Sequence, residues 1–257
     1  MRLLLALFVT LAAGANAARA DAGDCDRECL RGFVTQYLDA LVAHNPNKLP
    51  LGDKVKFTED TVEKKLGDGL WKTAARVGTH RQDILDVAQG VAASQVILDE
   101  TVDTETKPVM FVLRLKVAGQ KITEVETQIT RSQKEGAIFN INAIQAAGKA
   151  MNTAPDQSQR APREEAIKLA QFYPAGLKVG SFVEVNAPFA PDAYRIENGT
   201  ISAGQGCSRA GCEDIKGQKI MKHPAITTRV AAVDEEMGIV LLRMNFGTQG
   251  RTEPGML

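Results

Sequence analysis

The sequence predicts an α+β fold built twice, as two similar units in tandem. Three observations carry this. The chain opens, after a removable segment, on an amphipathic helical stripe. Alternating strands follow it. Three short segments then recur in the same order further along.

Residues 1–20 have the make-up of a secretory signal: Arg2 in front, an apolar run from Leu3 to Ala13, and a small-residue cut at Ala18-Arg19-Ala20 or Ala15-Asn16-Ala17. The run is too short to span a bilayer, and no later segment is apolar enough to cross one. The expected product is periplasmic or secreted, with no stable membrane insertion. In that compartment the cysteines read as two small disulfide loops, Cys25 with Cys29 and Cys207 with Cys212. A four-thiolate zinc site is the competing reading, but such knuckles favour a two-residue spacer, and the spacers here are three and four residues. Crossed connectivity between the pairs stays open. No metal or cofactor is expected.

Leu30, Phe33, Val34, Tyr37, Leu38, Leu41 and Val42 form one apolar helical stripe, which His44-Asn45-Pro46-Asn47 ends. Leu66 to Trp71 reads as a turn leading into a second helix, and Val91–Leu98, Pro108–Val117 and Ile122–Arg131 read as strands. Side-chain parity sets the register of the last two. Leu115 must face Val125 and Phe111 must face Ile129, which puts Arg114 opposite Glu126 and Lys116 opposite Glu124. A three-residue turn, Gly119-Gln120-Lys121, satisfies that register. Residues 149–162 are polar, carry two prolines and read as a linker, and Arg163–Tyr173 is again helical.

The repeat rests on Phe57-Thr58-Glu59-Asp60 against Arg195-Ile196-Glu197-Asn198, Val96–Glu100 against Ala231–Glu235, and Val112–Val117 against Leu241–Phe246. The expected organisation is a signal at 1–20, a first unit at 21–148, a linker at 149–162 and a second unit at 163–257. The second unit is expected to be incomplete, because nothing follows its last strand to match Ile122–Arg131.

A leading helix followed by long antiparallel strands resembles the NTF2-like cone, the group holding SnoaL-like cyclases and ketosteroid isomerases. Gly67-Asp68-Gly69-Leu70-Trp71, Ile122-Thr123-Glu124-Val125-Glu126, Arg195-Ile196-Glu197-Asn198-Gly199 and Val233-Asp234-Glu235-Glu236 resemble, more narrowly, an uncharacterised exported family with tandem NTF2-like units. The resemblance implies two helix-on-curved-antiparallel-sheet cones, the first with a pocket at its open end. It implies no single activity, because the fold hosts isomerases, lyases, dehydratases and pure binding modules.

Composition narrows the partners. Lys+Arg and Asp+Glu balance at 31 each, and removing Arg2 and Arg19 leaves 29 against 31. A slightly acidic chain with 5% aromatic residues is not built to neutralise nucleic-acid phosphates. The expected ligand is a small hydrophobic or aromatic molecule. His80, Arg114 and Glu126 are the candidate catalytic residues for a cofactor-independent isomerase, lyase or dehydratase. Tyr37, Trp71 and Arg243 are the candidate ligand-binding residues. Each has a plainer role beside it: a cross-strand ion pair for Arg114 and Glu126, a loop histidine for His80, core packing for Tyr37 and Trp71. The alternative function is a non-catalytic ligand-binding or protein-interaction module, with the last strand's open edge joining copies into a homo-oligomer. An empty cone would leave both functions open, whereas a filled one favours the module.

Overall fold

The computed structural model describes residues 25–135, 138–141, 143–144 and 152–247. The signal expected at 1–20 lies outside the described residues, as do residues 149–151 of the expected linker.

Helix α1 spans Arg27–Val42. Asp26 caps it, accepting from the Cys29 backbone N–H at 2.9 Å. Leu30, Phe33, Val34, Tyr37, Leu38 and Leu41 are buried along one side, the stripe the periodicity predicts. His44 turns left-handed at φ 53°, and a 3₁₀ turn at Pro46–Lys48 follows, so the helix ends where Pro and Asn forbid its continuation.

Six strands form the sheet under α1: β1 (Leu51–Glu59), β2 (Val62–Glu63), β3 (Ala74–Asp86), β4 (Val91–Val102), β5 (Glu105–Ala118) and β6 (Lys121–Thr130). Their spatial order is β2-β1-β6-β5-β4-β3. The first unit is therefore α+β, a helix on a curved sheet, compatible with the NTF2-like architecture. The sheet is mixed, not antiparallel throughout, because β1 pairs with β6 in parallel. Those two strands are joined by no hairpin, so no tight turn imposes an antiparallel pair.

The expected register of β5 and β6 holds at every anchor: Phe111 faces Ile129, Arg114 faces Glu126, Leu115 faces Val125 and Lys116 faces Glu124. The turn differs. Ala118 pairs with Lys121, leaving the two residues Gly119 and Gln120, both at positive φ. A bulge at Thr123 then shifts the register by one residue. A two-residue turn plus one bulged residue gives the same parity as a three-residue turn.

Leu66–Trp71 leads into a 3₁₀ turn at Gly69–Lys72 and then into strand β3, where a helix was expected. The strand is hard to recognise because two register shifts break it between Ala74 and Arg81.

The second part of the chain holds α2 (Arg163–Ala170) and α3 (Phe172–Val179), then β7 (Tyr194–Glu197), β8 (Thr200–Gly204), β9 (Thr227–Asp234) and β10 (Ile239–Asn245). Its strands form two separate hairpins, β7–β8 and β9–β10. A second closed cone is not seen among the described residues. Helix repeats helix in detail nonetheless: Arg27-Glu28, Tyr37 and Leu41 recur as Arg163-Glu164, Tyr173 and Leu177 at unchanged spacing. Glu59 and Glu197 each end a strand just before a left-handed residue, Asp60 at φ 49° and Asn198 at φ 44°.

The β9–β10 hairpin matches β3–β4 better than the β4–β5 pair suggested by sequence similarity. Asp86 pairs with Val91 and Leu85 with Ala92, while Asp234 pairs with Ile239 and Val233 with Val240. Asp86 accepts from Gln89 N and Asp234 from Met237 N, both at 3.1 Å. Each turn closes on a left-handed glycine, Gly90 at φ 58° and Gly238 at φ 66°.

The two matching aspartates join the six-stranded sheet to the β9–β10 hairpin by a reciprocal exchange. Asp86, on β3, accepts the Val233 N–H of β9 at 2.8 Å and both Arg163 amino groups at 2.9 and 2.7 Å. Asp234, on β9, accepts the Leu85 N–H of β3 at 2.9 Å and both Arg27 amino groups at 2.6 and 3.0 Å. The arginines are the first residues of α2 and α1, so each helix grips the other unit's hairpin. Removing one charge from such a buried pair strands its partner. Asp234→Asn is expected to lower unfolding stability by about 3 kcal/mol, the low end of that range because Arg27 keeps some contact with water. A urea midpoint within error of the parent would refute this.

Candidate functional site

The sheet has two faces, and the expected site residues divide between them. On the helix side, Trp71 and Tyr37 meet at the centre of the core. The Trp71 Nε1–H donates to the Tyr37 hydroxyl at 3.0 Å, and the rings sit edge to face with centroids 5.2 Å apart. Tyr37 is 0% exposed and Trp71 1%. Burial holds the Tyr37 hydroxyl well above its ordinary acidity range. Leu30, Leu41, Leu70, Phe57, Phe111 and Leu113 fill the space around them.

The loop that delivers Trp71 is fixed by a buried acid. Glu59 is 3% exposed and accepts the Leu70 N–H at 3.0 Å while pairing with Lys64. A Cβ on Gly69 would lie 2.0 Å from the Glu59 carboxylate, so glycine at this φ of 67° lets Glu59 stay in place. The Gly-Asp-Gly-Leu-Trp motif is thus a device for seating Trp71 in the core. His44 completes the seat: its Nδ1–H donates to the Trp71 carbonyl at 2.6 Å. Sequence reasoning passed over His44, because its distance from Trp71 in the chain hides the contact.

The far face carries Arg114, Glu126 and His80, but not as one cluster. Arg114 is 7% exposed and donates to Glu124 Oε2 at 3.0 Å, Glu126 Oε1 at 2.9 Å and the Ala231 carbonyl at 3.0 Å. Arg229 takes the other Glu126 oxygen at 2.5 Å, and Arg243 donates to Gln128 at 2.6 Å. Three of these partners, Arg229, Ala231 and Arg243, belong to β9 and β10. The network therefore joins β5 and β6 to β9 and β10, and Arg243 acts in it from β10. Ile84, Val91 and Ala93 pack against Ala232, Ile239 and Leu241 beside it, while Ile97 and Met110 pack under Phe139, Ile141 and Ile144.

His80 lies on β3, two strands from Arg114 and four residues further along the pleat, on the order of 15 Å away by strand spacing. It is buried at 8% exposure beside Gln82 at 3%, and neither His80 Nε2 nor Gln82 Nε2 has a hydrogen-bond partner. Burial pulls the His80 imidazole below its ordinary pKa of 6.5, against an opposing hydrogen bond to Gln95.

Cys25 is bonded to Cys29 and Cys207 to Cys212, the local pairing. The disulfides are consistent with an extracytoplasmic protein. No helix among the described residues is long and apolar enough to cross a membrane.

A family described as a domain of unknown function, DUF8021, matches residues 159–256. No curated protein matches. Among solved structures, that of AclR, a proposed hydroxylase from Streptomyces galilaeus, is similar at 8% identity and a TM-score of 0.32. The match covers 48% of this chain and 97% of that one. A likeness of that strength says nothing about activity.

Two outcomes follow. Tyr37→Phe removes the acceptor of a buried indole N–H, so stability should fall by about 1–3 kcal/mol in chemical denaturation. The His80 imidazole is held below 6.5 in the folded protein and released in the unfolded chain. The unfolded chain then binds more protons, and stability falls as pH drops through 6.5. His80→Gln should flatten that loss between about pH 7 and 5, as read from urea midpoints across the range.

Proposed function

We propose that this chain is an exported, non-catalytic binding module of tandem NTF2-like units, periplasmic or secreted, with units at 21–148 and 163–257 joined by 149–162. One observation carries the reading: the first unit's cone is filled by its own side chains, with Trp71 and Tyr37 at its centre almost wholly buried. A cofactor-independent isomerase, lyase or dehydratase of this shape needs that space for its substrate. Arg114 and Glu126, the acid/base pair of the enzymatic reading, are engaged in the joint between units. The ligand in this reading is a small hydrophobic or aromatic molecule held at the outer surfaces, with β10 offering an edge for association between copies.

Trp71 is the only tryptophan, so its emission reports on the cone alone. Titrating the full chain with small aromatic and terpenoid compounds should leave that emission unchanged, including with compounds that raise the melting temperature. A ligand that shifts Trp71 emission saturably enters the cone and overturns the reading. In the same samples, sedimentation should show concentration-dependent association, and a strict monomer at high concentration removes the role of β10.

A further inference from the structure

Strand β3 turns alternate side chains to the two sides of the sheet. Arg81 reaches the Arg31 carbonyl of α1 at 3.2 Å, so His80 and Gln82 lie on the far side, with Ile84. Gln82 pairs with Gln95 of β4, and Ile97 and Met110 continue that side into the cluster under Phe139, Ile141 and Ile144. His80 is 8% exposed and Gln82 3%, so both are more than nine-tenths buried. His80 Nε2 and Gln82 Nε2 are the buried side-chain nitrogens that have no hydrogen-bond partner among the described residues. Native proteins rarely leave such atoms unmatched.

The Gln95 amide fixes what each nitrogen asks for. Its Nε2–H donates to Met110 Sδ at 3.4 Å, which leaves its Oε1 to accept. The hydrogen bond between His80 and Gln95 favours the protonated ring, so the ring donates it. Nδ1 is the nitrogen engaged, because Nε2 has no partner. In the neutral ring Nε2 is then an acceptor, whereas the Gln82 Nε2 amide is a donor. One donor and one acceptor side by side ask for a group that is both. Residues two apart on a strand are separated by roughly 6.6 Å, and an oxygen hydrogen-bonded to both nitrogens spans about 5.8 Å. Burial and Gln95 alone act on the imidazole, with no charged side chain among the described residues contributing. An ion would enter without a counter-charge.

We propose that His80 and Gln82 form a binding site for one hydroxyl oxygen, that of water or of a small neutral alcohol. The oxygen accepts from the Gln82 Nε2–H and donates its own hydrogen to His80 Nε2. A carbonyl or ether does not fit, because it has no hydrogen to give. An ammonium does not fit either, because it has no lone pair to offer Gln82. Ile97 and Met110 give the alkyl part of an alcohol an apolar neighbour. The site lies on the side of the sheet away from Trp71. It depends neither on a ligand at the outer surfaces nor on association between copies.

Nitrogen-15 spectra of the full chain at about pH 8, where imidazoles are neutral, test the site. The His80 signals are found by elimination, with His44→Gln and His223→Gln removing those of the other two histidines. The ring should carry its proton on Nδ1, with Nε2 shifted as a hydrogen-bond acceptor, and Gln82→Met should abolish that shift. In urea unfolding Gln82→Met should lower the folded-to-unfolded ratio about tenfold, because it releases the oxygen and strands the His80 acceptor. Adding Gln82→Met to His80→Leu should cost much less, since the oxygen has already lost one of its two anchors. Where His80→Leu fails to fold, the spectra of the parent and of Gln82→Met decide alone. Ethanol that moves the Nε2 signal saturably identifies an alcohol as occupant. An unmoved signal that still reads as an acceptor identifies water, and both results support the site. A proton on Nε2, Gln82→Met as stable as the parent, or costs that simply add overturns it. So does acetone moving the signal as ethanol does, because acetone has no hydrogen to donate.

Discussion

Everything else in the molecule hangs on the exchange of Asp86 and Asp234 between the units. A carboxylate withdrawn from water is tolerated only when donors fill its lone pairs. Each of these has four: an N–H of its own turn, an N–H of the other unit's strand, and both prongs of an arginine that begins a helix. No member can leave without stranding a charge. The start of α1, the end of β3, the start of α2 and the end of β9 are thereby held as one object. The Cys25–Cys29 bridge closes around Arg27 at the entry to α1, constraining the residue that grips Asp234.

That constraint decides what the far face of the sheet becomes. An antiparallel sheet ordinarily keeps one face wet, and Gln82, Gln95, Arg114, Glu126 and Gln128 are the residues of a wet face. Once Asp86 and Asp234 dock the hairpin, β9 lies over that face. Ala231 and Ala232 are small enough for its backbone to come close, and the Ala231 carbonyl reaches Arg114. Surface polar residues become fixed contacts across a joint. The charges that resemble an acid/base pair in one dimension are consumed by three-dimensional assembly, and Arg229 occupying the second oxygen of Glu126 is the clearest mark of it.

The legible parts of this structure are those set by local periodicity and parity. The α1 stripe, its stop at Pro46 and the pairing of Arg114 with Glu126 follow from spacing alone. Strand β3 escaped because Gly78 and two register shifts interrupt its alternation. The recurring segments pair β9–β10 with β4–β5, whereas the turns match β9–β10 to β3–β4. Hydrophobic runs are common to all strands and cannot tell β4 from β3, whereas the Asp-x-x-x-Gly turn that does distinguish them depends on a left-handed glycine. Parity assigns Arg114 and Glu126 to a face, but not what covers that face. Coverage depends on contacts between residues more than a hundred positions apart. Arg27, Arg31 and Arg81 gave no local signal either, because they meet only when α1 crosses the edge of β3.

The helix-side face of the sheet is closed by a different device from the far face. Gly69 lets the loop settle onto Glu59, Glu59 fixes the backbone of Leu70, and Trp71 is thereby driven into the core between α1 and the sheet. His44 and Tyr37 then satisfy its carbonyl and indole, so ejecting Trp71 breaks two buried hydrogen bonds as well as the packing. Both faces of the sheet are therefore occupied, one by α1 and the Trp71 loop and the other by β9.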